Sequence, residues 1–152
     1  VDVCVANEED AADVFGICAE NTNVTAGEVN RNGYKDVARQ LAERFGFAKV
    51  AITLRESISA NDNIWSAMLY DGENYCFSKK YKVHIVDRVG GGDSFCGGLI
   101  ASCLNGYDSQ MTVEFAAAAS CLKHSIEGDM NLVTVDEVLK LAGGDATGRV
   151  QR

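Results

Sequence analysis

Residues Asp87 to Gly98 read DRVGGGDSFCGG. Three consecutive glycines, Gly90, Gly91 and Gly92, lead into an acidic residue, Asp93, and then an apolar stretch. Consecutive glycines let backbone N–H groups converge on one point without Cβ obstruction. A helix opening at Asp93 would add about half a positive charge at the same point. Such a site suits a phosphate, or the charge that builds up during phosphoryl transfer. A carboxylate there is placed to take a proton from an attacking hydroxyl. The same glycines also suit a plain strand–helix turn in which Asp93 only complements the helix dipole. Two other phosphate motifs are excluded: no Gly-Lys-Ser/Thr follows the glycines, and the G-x-G-x-x-G spacing is not met. Gly97 and Gly98, one turn on, predict close packing of this helix on a neighbour.

The elements that must position this loop can be read from periodicity. Val1 to Ala6 predicts a buried strand, and Asn7 caps the helix that follows, with Ala11, Ala12, Val14, Phe15 and Cys18 on its apolar face and Gly16 near its end. Glu20 to Asn32 is polar and predicts a loop. Gly33 to Phe45 predicts a helix with Val37, Leu41 and Phe45 on one side, stopped by Gly46. Ala48 to Leu54 is nearly all apolar and rich in β-branched residues, the pattern of a strand covered on both faces and typical of a parallel sheet. Trp65–Tyr70 and Asn74–Phe77 flank Asp71-Gly72 as a hairpin. Val83–Val86 is a short strand before the glycines, and a helix runs from Asp93 to about Leu104. Met111–His124 is a strongly apolar helix. Thr134 and Glu137 form a capping box for a last helix, Val135–Leu141. The tail, 143–152, is expected to be mobile. Alternating strands and helices predict an α/β layered domain.

Composition narrows the class. The chain has 152 residues and a formal charge of −8. Lys and Arg form no basic face, which argues against a nucleic-acid partner. No apolar run nears the roughly 18 residues that span a bilayer, so no membrane segment is expected. Six cysteines are scattered without a C-x-x-C pair, which argues against zinc or a redox dithiol and for a reducing, cytoplasmic setting. His84 and His124 lack metal-ligand spacing and are taken as structural, Trp65 as hairpin packing and Cys96 as a packed thiol.

The whole string from Asp87 to Gly98 resembles the C-terminal signature of the ribokinase-like (PfkB) carbohydrate kinases, D-x-x-G-[AG]-G-D-x-F-x-x-[GA]. Arg88 departs from the small residue usual there, but DRVGGGDSF is similar to a form found in 2-keto-3-deoxygluconate kinases. ITLRES at 52–57, LKHSIEGD at 122–129 and the terminal GRVQR resemble the same branch. The resemblance implies a three-layer ribokinase-like α/β fold with a mostly parallel sheet. It makes residues 1–152 the C-terminal, nucleotide-binding portion of a kinase domain, with the N-terminal half and lid absent.

The implied activity is ATP-dependent phosphorylation of a sugar acid, 2-keto-3-deoxygluconate, by the whole protein and not by this portion alone. Asp93 would be the general base and contact substrate, and the N–H groups of Gly90, Gly91, Gly92 and Asp93 would form the anion hole. Thr53, Leu54, Arg55, Glu56 and Ser57 would occupy the nucleotide-binding loop, with Arg55 where glycine is usual. Asn7 and Asp10, in Asn7-Glu8-Glu9-Asp10, resemble the family's N-x-x-E motif, with Asp10 where glutamate is usual, and would reach Mg²⁺ through water; the competing reading is an ordinary helix cap. Asp129 would contact the sugar acid, or is a Gly-Asp turn residue. Asp87 is the candidate for holding a monovalent cation. Another sugar or nucleoside specificity, a non-catalytic nucleotide-binding module, and a homo-oligomer formed through uncovered surface are the other expectations.

Overall fold

The computed structural model describes residues 1–7, 9–18 and 31–144. Glu8, most of the loop expected at 20–32, and the tail from 145 lie outside the described residues. Five strands form one sheet: β1 Val3–Ala6, β2 Lys49–Ser57, β3 Asp62–Tyr70, β4 Tyr75–Phe77 and β5 Tyr81–His84. Five helices flank it: α1 Asp10–Phe15, α2 Arg31–Phe45, α3 Gly91–Leu104, α4 Ser109–Lys123 and α5 Val135–Ala142.

The apolar run in β2 is explained by cover on both faces. Val50, Ile52 and Leu54 point to one side, where they pack with Val37, Ala38 and Leu41 of α2. Ala51 points to the other, into a core with Ala67 and Leu69 of β3 and Ala116 to Ala119 of α4. Small residues on both the sheet and α4 let the helix lie close. The result is the expected three-layer α/β arrangement.

Within these residues the sheet is mixed. β1 pairs with β2 in parallel, whereas β2–β3, β3–β4 and β3–β5 are antiparallel. The reason is connection length: only four residues, 58–61, join β2 to β3, and another four, 71–74, join β3 to β4. Such short links permit only hairpins. β4 and β5 follow one another along the far edge of β3, and Ser78 fills the gap between them. Its N–H donates to the Ala67 carbonyl and its Oγ accepts from the Ala67 N–H, both at 2.9 Å.

Several boundaries differ from the periodicity reading. β1 is not buried throughout, since Val3 and Val5 remain exposed on one face. α1 buries Ala11 but leaves Val14 in solvent. α2 starts two residues earlier than expected, at Arg31, and α3 at Gly91.

Asp71 fastens the β3–β4 turn to the start of α4. Its Oδ1 accepts from Asn74 N at 2.7 Å and Glu73 N at 3.1 Å, and its Oδ2 from Ser109 Oγ at 2.6 Å. The Ser109 hydroxyl foremost, then the turn N–H groups, bring this carboxyl down to about 2. A carboxyl held below its unfolded value of about 3.9 stabilises the fold above that pH and loses the contribution as pH falls toward its folded value. Thermal unfolding should therefore show a loss of stability between about pH 4 and pH 2 that Asp71→Asn flattens. Superimposable pH profiles for the two proteins would count against this.

Candidate active site

The glycine loop is set by its two flanking elements. β5 ends at His84, and the chain then crosses to α3 under tight backbone control. Ile85 N donates to Asn61 O at 2.7 Å, while Val86 N and Asp87 N both donate to His124 O, at 2.8 and 3.3 Å. The Asp87 carboxylate accepts from Val89 N at 3.0 Å and from Gly128 N at 2.8 Å. These backbone donors hold the Asp87 carboxyl below the usual range.

Gly90 caps α3 with φ +78°. A Cβ there would lie 2.1 Å from Asp129 O and 3.1 Å from Lys123 Cε. At Gly91 a Cβ would lie 2.9 Å from His124 Nε2. Both glycines are required by close neighbours, not only by turn geometry. Ser120 Oγ donates to Gly91 O at 2.8 Å, locking the first turn of α3 onto α4. Gly98, further along, meets Ala116 Cα at 3.0 Å from its notional Cβ, whereas Gly97 has open space beside it. Close helix packing therefore rests on Gly98 alone of the pair.

The first bond of α3 runs from Ser94 N to Gly90 O at 2.9 Å, and Gly91 N donates to Arg88 O at 3.3 Å. The Gly91 N–H expected in the anion hole is therefore engaged within the turn, and those of Gly92 and Asp93 are left at the open helix end, where an anion is favoured.

Two clefts meet at this turn. One, of about 300 Å³, is lined by Gly91 and Gly92 together with Thr53, Arg55, Arg88 and Asn7, with Trp65 and His124 at its back. The other, of about 360 Å³, is lined by Asp93, Gly97, Asp129, Asn131 and Thr134 over an apolar floor that includes Phe115 and Val138. The loop glycines thus face a cationic cleft, and the next residue, Asp93, faces one that holds a second carboxylate.

The structure gathers most of the residues singled out above, but not all in the expected way. Thr53 to Ser57 form no loop; they are the end of β2, paired with β3 from Thr53↔Ala67 to Ser57↔Asn63. With arginine in place of glycine at position 55, the strand continues extended. Thr53 and Arg55 line the first cleft. Leu54 is 1% exposed and belongs to the core beneath α2. Glu56 pairs with Lys80 at 2.5 Å, and Ser57 Oγ bonds Asn63 Oδ1 at 3.2 Å.

Asn7 Oδ1 accepts from Glu9 N at 2.7 Å and Asp10 N at 2.9 Å, and Asp10 Oδ2 accepts from Asn7 N at 2.8 Å. These reciprocal bonds engage Asn7 Oδ1 and Asp10 Oδ2 with backbone N–H groups just ahead of α1, whose cap position is Glu9. Among the described residues no three His, Cys, Asp or Glu side chains cluster as metal ligands.

Residues expected to be structural turn out to border the site. His124 is buried and its ring lies 4.7 Å from that of Trp65. Its Nδ1 lies 2.7 Å from Ser120 O; a carbonyl only accepts, so Nδ1 carries the proton and Nε2 faces Gly91. Burial first, then the nearby Arg88, Lys123 and Arg55 charges, push its pKa down. Arg88 donates to the Ala60 carbonyl in the β2–β3 turn. Lys123 has no solvent exposure at all. A lysine and a histidine closing an otherwise apolar helix were the visible signal for these two.

Residues 1–135 match the family described as pfkB family carbohydrate kinase. The chain belongs to that family. Among solved structures, a 2-dehydro-3-deoxygluconokinase from Thermotoga maritima is 50% identical with a TM-score of 0.87, over 95% of this chain and 42% of that one. Among curated proteins, a 2-dehydro-3-deoxygalactonokinase from Haloferax volcanii is 29% identical over 96% of this chain and 40% of its own length. Phosphofructokinase-2 from Escherichia coli, solved in complex with potassium, shares the fold at a TM-score of 0.71 with 16% identity, over 94% of this chain and 40% of that one. The chain thus spans about two fifths of the length of these PfkB relatives.

Steric room separates the three loop glycines. Gly90→Ala should lower stability by about 1–3 kcal/mol, since it meets a carbonyl and a positive φ, whereas Gly92→Ala should stay within about 0.5 kcal/mol. Urea unfolding of both variants checks this; equal effects would refute it.

Proposed function

We propose that this chain is the nucleotide-binding, phosphoryl-transferring portion of an ATP-dependent sugar-acid kinase acting on 2-keto-3-deoxygluconate. The observation that carries the proposal is the first turn of α3. Its free N–H groups and the Arg55–Arg88 cleft lie on one side of Asp93, and the Asp93–Asp129 cleft on the other.

ATP phosphates sit against Gly91, Gly92 and the two guanidinium groups. The sugar acid lies in the second cleft, held by Asp129. Its C6 hydroxyl oxygen attacks the γ-phosphorus as the bond from that phosphorus to the β,γ-bridging oxygen breaks. Asp93 takes the hydroxyl proton, and ADP leaves. The N–H groups of Gly92 and Asp93 stabilise the charge on the transferring group.

Mg²⁺ on the phosphates would supply further charge neutralisation. Asn7 and Asp10 would act from an outer position, through water, with Asn7 Oδ1 and Asp10 Oδ2 already accepting backbone N–H groups. A reducing, cytoplasmic setting suits the six cysteines, all of which are free. Among the described residues no helix is long and apolar enough to cross a membrane.

The preference for the glucono epimer rests on the 50% identity to the Thermotoga maritima enzyme. A panel of sugar acids that includes 2-keto-3-deoxygalactonate tests it, with the glucono form expected to give the highest kcat/KM.

In the complete protein, Asp93→Asn should lower kcat by about 10²–10⁴-fold and leave ATP affinity nearly unchanged. Full turnover by that variant would sink the assignment of the base. The present chain alone should give no ketodeoxygluconate-dependent ADP in a coupled assay; turnover that Asp93→Ala abolishes would refute that expectation.

A further inference from the structure

Lys123 is a basic side chain with 0% solvent exposure, lodged directly beneath the anion loop. Its Nζ donates to Ile126 O at 3.0 Å, and its Cε would lie 3.1 Å from a Cβ on Gly90. Its charge contributes to holding the Asp87 carboxyl low. Withdrawing an ammonium group from water is costly unless negative charge compensates it. Two sources of such charge lie at hand: the Asp87 carboxylate, and an anion seated on the N–H groups of Gly92 and Asp93.

The same place was the candidate for a monovalent cation, and the side chains there do not fit one. Each Asp87 oxygen already accepts one backbone N–H, from Val89 and from Gly128. The Ile126 carbonyl is taken by Lys123 itself. An added cation would meet the existing Lys123 charge and compete with it for the Ile126 carbonyl. The potassium of the Escherichia coli phosphofructokinase-2 structure belongs to a protein 16% identical to this one.

We propose that Lys123 is a built-in cation: a positioning residue that supplies, from within the fold, the positive charge a free monovalent ion would otherwise bring to the anion loop. Nucleotide binding is then indifferent to potassium. The inference rests on the phosphoryl-transfer reading of the loop given above.

The test is ATP binding by calorimetry to the complete protein at constant ionic strength, in potassium, sodium or tetramethylammonium chloride. The affinity of the unaltered protein should vary by less than about two-fold across the three salts, and Lys123→Met should weaken binding by about ten-fold in tetramethylammonium, with potassium restoring part of the loss. Rescue by a small cation is a response that a merely structural lysine would not give. Several-fold tighter binding of ATP by the unaltered protein in potassium would overturn the proposal. So would a folded Lys123→Met protein that binds ATP equally well in every salt. Should that variant fail to fold, the salt series on the unaltered protein decides alone. No ATP binding in any salt would instead overturn the phosphoryl-transfer reading, and this inference with it.

Discussion

The site depends on one close approach, that of the first turn of α3 to the end of α4. Asp129 O occupies the space a side chain at Gly90 would need, and the His124 ring occupies that at Gly91. Ser120 Oγ holds the Gly91 carbonyl, and Gly98 lets α3 lie against Ala116 a little further along. Side chains are thereby expelled from the inner surface of the turn. The backbone N–H groups are left on the outer surface, where a ligand can reach them. His124 serves this contact twice: its ring supports Gly91, and its carbonyl receives Val86 and Asp87 from the incoming strand. Burial pushes the imidazole pKa down, which favours its neutral form.

Charge is distributed against the trend of the whole molecule. A chain of net charge −8 brings Arg55, Arg88 and Lys123 around one loop. On the other side of the same helical turn it places two carboxylates, Asp93 and Asp129. The phosphoryl transfer proposed above would use that asymmetry: positive charge where phosphate oxygens gather, and a base where a hydroxyl must give up its proton. Because α3 begins at Gly91, successive residues of its first turn face the two clefts in order, and the boundary between them falls between Gly92 and Asp93.

Much of this was legible in the residues themselves. The run of glycines before Asp93, the doubly covered β2, the Asp71-Gly72 hairpin and the Thr134–Glu137 cap were all open to local rules of spacing and capping, and the structure has each of them. What was not legible depended on contacts distant in sequence. Nothing near Arg55 to Ser57 indicates that Asp62 onward folds back and pairs with them, carrying the strand expected at 48–54 on through Ser57. Nothing beside Lys123 indicates that its side chain ends under Gly90. The reading of Gly97 and Gly98 as a pair also failed for a tertiary reason: a helix has only one side toward its neighbour at that level, and Gly98 is on it.

The link from the Asp87 carboxylate to Gly128 N spans 41 residues, and the one from Ser120 to Gly91 spans 29. The second cannot form until α3 and α4 are both in place, and the first until the segment after α4 has docked. Loop closure of this length must precede its own reward, so contacts of this kind tend to be made late in folding. The anion loop is therefore a product of the finished assembly and not a local motif that folds by itself. A phosphate-bearing ligand that binds only the completed loop draws the population toward the native state by mass action, so that on the function proposed above nucleotide would act on this chain as a folding ligand as well as a reactant.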